Sequence, residues 1–172
     1  MKLINQTIET RKSFGYSITE FKLNTHFKLS NLISTKIFDL ELKPNDVKET
    51  IKKNDYINQN GYLMGLFCSD KLSIKDFKFI NIDGIYYYLE GFSDSEEEWG
   101  VDKPFFKSLL ESFIKKTVDS LNGCYLINKD WFNDKSNKVR NREYIIYDFY
   151  FIIIWLDKRD SSKLYVAEWS AD

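Results

Sequence analysis

The chain has 172 residues, of which 43% are hydrophobic and 30% charged, with a formal net charge of −1. That length suits one domain with its own core. The near-neutral balance gives no global pull toward nucleic acid or an acidic membrane, and no apolar run approaches the roughly 20 residues of a membrane span.

Aromatic residues reach 17%, so a core built from rings is expected. Lys outnumbers Arg and Asn and Ile are plentiful, a composition typical of an AT-rich genome, which points to a bacterial or phage source. Lys2 gives the start a positive charge, but no apolar run follows it. No secretory leader is expected, and a cytoplasmic location is.

Residues 1–12 show no clear period. Residues 16–23 form a candidate strand, and 27–33 are apolar without a decisive period. Over 36–43, Phe38, Leu40 and Leu42 alternate with Asp39, Glu41 and Lys43, as in a half-buried strand. Pro44 closes it, and Asp46 with Glu49 has the form of a capping box. The pattern predicts a short, mostly polar helix over about 47–56. Asn58-Gln59-Asn60-Gly61 reads as a turn, and 62–68 as a short strand. Asp83-Gly84 separates two β-prone runs, 77–82 and 85–91. This predicts a hairpin, because a type I′ turn needs positive φ at both central residues.

Asp102, Lys103 and Pro104 suit a helix start. Phe105, Phe106, Leu109, Leu110, Phe113, Ile114, Val118 and Leu121 then recur at three- and four-residue spacing, which predicts the main amphipathic helix over about 103–122. Asn122-Gly123 supplies its stop. A short strand at 124–127 and a polar loop over 128–142 lead into 143–156, the longest apolar run of the chain. Its β-branched and aromatic residues are apolar on both strand faces, so the spacing predicts a central strand covered on both sides. Residues 163–169 read as a final strand antiparallel to it. The expected fold is a single α+β domain over 1–172. Its mostly antiparallel sheet is centred on 143–156 and packed against one long amphipathic helix, with the short 47–56 helix in addition.

His26 is the only histidine, and there is no C-x-x-C, so neither a zinc site nor a cysteine–histidine nucleophile is expected. Glycine-rich phosphate loops and the G-x-S-x-G elbow are missing from the sequence. No catalytic residue, metal or cofactor is therefore assigned. Cys68 and Cys124 stand apart in apolar surroundings and are expected as free buried thiols, with a disulfide as the other arrangement. Asp148, the one acid in the central run, needs a partner if buried. The tyrosines of 86–88 and the bases of 135–142 are the candidates, and a functional acid is the alternative. The basic stretch 135–142 reads as a solvated loop more than as a phosphate site.

The most unusual stretch holds Asp94, Glu96, Glu97, Glu98 and Asp102 around Trp99, with no base among them. Acids ringed about one large aromatic are the makings of a docking site for a basic protein. The expected function is a non-catalytic protein-binding domain of the type of the immunity proteins that neutralise bacterial toxins, with a basic toxin domain as partner. A homodimer is left open, and neither a membrane nor nucleic acid is an expected partner. The alternative is a small metal-dependent hydrolase or nuclease in which Asp39 and Glu41, on one strand face with Lys43, hold magnesium.

Overall fold

The end of the long apolar run is a strand whose residues 150–155 are all buried. The computed structural model describes residues 2–11, 14–24, 26–27, 63–64, 67–68, 73–94, 103–128 and 149–171. Their elements are β1 (Lys2–Arg11), β2 (Phe14–Lys22), β3 (Leu63–Met64), β4 (Phe67–Cys68), β5 (Lys78–Asn81), α1 (Ile82–Asp94), α2 (Lys103–Thr117), β6 (Gly123–Asn128), β7 (Phe149–Leu156) and β8 (Lys163–Ala171). Six strands form one sheet in the order β1-β2-β8-β7-β6-β5, and every neighbouring pair is antiparallel. β3 and β4 form a separate two-stranded ladder. The described fold is α+β, with the sheet dominant.

Alternation sorts the side chains. Phe151, Ile153 and Trp155 of β7 share a face with Tyr16, Ala167 and Trp169, and this face packs against Ile85 and Leu89 of α1 and Phe106, Leu109, Leu110 and Phe113 of α2. On the second face Phe21, Ile127, Ile152, Ile154, Leu164 and Val166 are buried as well. A strand buried on both sides reads as an unbroken apolar run, which is the property that made 149–156 conspicuous. The strands expected at 16–23, 124–127 and 163–169 are present as β2, β6 and β8. β1 is present too, although its residues carry no apolar period: an edge strand with few buried side chains leaves little pattern to read.

Two expectations need correction. Asp83-Gly84 is not a hairpin turn: only 78–81 is strand, and the chain enters α1 at Ile82. Asn81 caps this helix, its Oδ1 accepting the Gly84 N–H at 2.9 Å, and Asp83 sits in the first turn, where the helix dipole favours an acid. Gly84 serves close approach: a Cβ there would lie 2.5 Å from Ile80 Cγ2. The residues Ile82, Ile85, Tyr86 and Leu89 carry helical spacing, and the Asp-Gly pair outweighed it in the sequence. The second correction concerns the helix layer. It is not one long helix: α1 shares it with α2, and α2 runs from Lys103 to Thr117, short of 122. Near its end the Thr117 hydroxyl donates to the Phe113 carbonyl at 2.8 Å, and a turn brings Leu121 back into the core.

The strand expected at 36–43, the helix expected at 47–56 and residues 143–148 lie outside the described residues. Cys124 is a free, buried thiol, and burial pushes it up to about 12. Among the described residues no helix is long and apolar enough to cross a membrane.

Two substitutions test this arrangement by urea unfolding. Phe113→Ala should cost about 3–5 kcal/mol, the usual range for truncating a buried ring. Asn81→Ala should cost about 1 kcal/mol through loss of a helix cap, whereas in a hairpin centred on Asp83-Gly84 that cap would have no role to lose.

Candidate functional site

α1 turns one side to the core and the other outward. Ile85 and Leu89 are fully buried, with Ile82, Tyr86 and Tyr88 packed beside them. Asp83, Tyr87, Glu90 and Gly91 are exposed, and the spacing 83, 87, 90 places Asp83, Tyr87 and Glu90 along one stripe. Tyr87 is 80% exposed, and next to it Gly91 leaves open space. Asp94 is the one member of the expected docking segment within the described residues. Glu96, Glu97, Glu98, Trp99 and Asp102 lie outside them, as do Asp39, Glu41 and Asp148.

The stripe continues the acidic segment in sequence. Between Lys78 and Lys103 there is no Lys or Arg, against the acids Asp83, Glu90, Asp94, Glu96, Glu97, Glu98 and Asp102. The rest of the chain carries 25 bases against 19 acids. The net charge of −1 therefore conceals a strong separation of sign, with the negative part running from α1 to the start of α2. The α1 half of this feature escaped the sequence analysis, because a hairpin would scatter those acids over two faces.

A second polar group ties the sheet edge to α2. Glu9 of β1 stands opposite Tyr16 of β2, while Ser112 and Lys116 lie one turn apart on α2 and face the same way. Glu9 Oε2 accepts hydrogen bonds from Lys116 Nζ at 2.6 Å, Ser112 Oγ at 2.7 Å and the Tyr16 hydroxyl at 2.8 Å. The Lys116 ammonium also lies 5.4 Å from the Tyr16 ring centroid. The hydrogen bond from Lys116 outweighs partial burial and holds Glu9 down at about 2. Partial burial opposes the charge on Lys116, but its bonds to Glu9 and Tyr16 prevail and raise it. Burial raises Tyr16. A carboxylate held down beside a lysine held cationic is a charge-assisted pair, and it ties β1 and β2 to α2. No sequence motif marked it, because Glu9 and Lys116 are 107 residues apart.

The remaining polar clusters also fasten the fold. Glu168 on the second face accepts from Tyr150 at 3.0 Å and from Ser17 at 3.3 Å. The β7–β8 turn is closed by Asp157, which accepts the Arg159 and Asp160 N–H groups. It is held to the end of α2 by Lys158 Nζ donating to the Val118 carbonyl at 2.7 Å, a cation on the negative end of a helix. Among the described residues no three His, Cys, Asp or Glu side chains converge to hold a metal ion. His26 is exposed. No family model, curated protein or solved structure matches the chain.

The Glu9 tie carries a pH signature. Its carboxyl is depressed in the folded state, so its contribution is present in full above the ordinary carboxylate value of 4.5 and is lost as pH falls toward about 2. Lys116 is 37% exposed, and allowing for that screening the contribution is roughly 1–2 kcal/mol. Unfolding measured between pH 7 and pH 2 should show the wild type losing this increment relative to Glu9→Gln, with the two curves converging at the acid end.

Proposed function

We propose that this chain is a non-catalytic protein-binding domain of the immunity-protein type, which neutralises a basic protein, such as a bacterial toxin domain, by covering it with its acidic segment. The observation that carries the reading is the unbroken acidity between Lys78 and Lys103, with Tyr87 and Trp99 inside it. A patch of one sign steers a partner of the other sign and raises the rate of encounter. Aromatic residues within such a patch supply the contact area that holds the partner once it has arrived. α1 supports the reading by presenting Asp83, Tyr87 and Glu90 on its exposed side, anchored from behind by Ile85 and Leu89.

The parent chain and a Glu96→Lys/Glu97→Lys/Glu98→Lys variant, offered the same lysate of the source cell, form the test. The parent should retain a basic protein. Association with that protein, purified, should slow by roughly tenfold or more in the variant and on adding salt, with thermal stability unchanged. Equal retention by both chains, or rates indifferent to salt, defeats the reading. Nucleic-acid cleavage by the parent that needs magnesium and disappears in Asp39→Ala and Glu41→Ala would replace it with the hydrolase.

A further inference from the structure

Two exposed residues of α1 are ones that packing does not dictate. Tyr86 and Tyr88 lie against the core, but Tyr87 between them is 80% exposed. Gly91 follows it one helical turn later, inside a helix that runs on to Asp94. A glycine within a helix is less stable than an alanine, because its backbone loses more freedom on folding. Gly84 has a packing reason, since a Cβ there would collide with Ile80. Gly91 has none: a Cβ added to it would meet nothing within 4 Å. Helical side chains cover the turn N-terminal to their own Cα, so the Tyr87 ring is placed toward Asp83 and the backbone at Gly91 is left bare. The result is a notch one turn long, with a ring at one end, bare backbone at the other and the exposed Asp83 beyond the ring.

We infer that this notch receives an arginine of the basic partner, its guanidinium laid on the Tyr87 ring and its N–H groups turned to Asp83. α1 contains no base, so its exposed side calls for a cation. A guanidinium is flat, weakly hydrated and permanently charged; it stacks on an aromatic face, and its fork of donors matches a carboxylate. A lysine ammonium is compact and strongly hydrated and gains less from a ring. The stem of the arginine crosses Gly91, where any Cβ would hold it off the helix. The assignment rests on the docking surface proposed above and names what the partner brings to it.

The test titrates the full chain with octa-arginine and with octa-lysine, peptides of equal charge, at fixed salt. The wild type should bind octa-arginine more tightly than octa-lysine by about two- to fivefold, the worth of an exposed cation–π contact. Tyr87→Leu should abolish that preference, and Tyr87→Phe, which keeps the ring, should retain it. Gly91→Ala should reduce the preference while raising the thermal midpoint by about 1–4 °C, a pairing of signs that a purely structural glycine would not give. Equal affinity of the wild type for the two peptides overturns the inference, as does a preference that neither Tyr87→Leu nor Gly91→Ala diminishes. Glu96→Lys/Glu97→Lys/Glu98→Lys reports on the docking surface separately: it should weaken both peptides alike and leave their ratio unchanged. If it weakens both while the wild type shows no preference, the docking surface stands and the notch falls. If neither peptide binds the wild type, both fall.

Discussion

The structure depends on the rings gathered about Trp169. This fully buried indole lies 4.9 Å from Tyr16 of β2, 5.2 Å from Phe113 and 5.9 Å from Phe106 of α2, and 6.1 Å from Phe151 of β7, centroid to centroid. The pair with Phe113 is edge-on and that with Phe151 stacked, both favourable arrangements worth roughly 0.5–1.5 kcal/mol beyond simple burial. Three strands and a helix meet at one side chain. α2 is thereby fixed on the sheet, while α1 joins the same core through Ile85, Leu89 and the Tyr88 ring against Phe151; packing sets the direction in which each helix turns its charges.

That fixing has opposite electrostatic results for the two helices. α2 faces outward with Lys107, Glu111 and Lys115, a surface of both signs with a small positive excess. α1 contains no base at all, so its exposed side contributes only negative potential. A charge pattern of this kind bears on association and leaves the fold indifferent. Nothing in the ring core requires Asp83 or Glu90 to be acidic, and a residue whose identity the core does not dictate is available to function.

Glu9 shows the reverse coupling, in which a charge serves the fold. Its carboxylate satisfies a hydroxyl on β2 and a hydroxyl and an ammonium on α2, so the sheet margin is held down at its middle.

Local patterning alone determined the class of fold, strands within 143–156 and over 163–169, the start of α2 and the acidity of the segment after α1. In each case the burial of a residue is reported by its neighbours at spacing two or four, or by a run of one charge. Local pattern could not decide between hairpin and helix at 82–94, where Asp-Gly argued for one and Ile82, Ile85 and Leu89 for the other. The sheet settled that contest, because a helix there lets Ile85 and Leu89 reach the core that Phe151 and Trp169 also line. Nor could it mark β1, a strand with few buried side chains, or unite Glu9 with Lys116. The second contact joins residues 107 apart and depends on strand register and helix position, which no property of adjacent residues encodes.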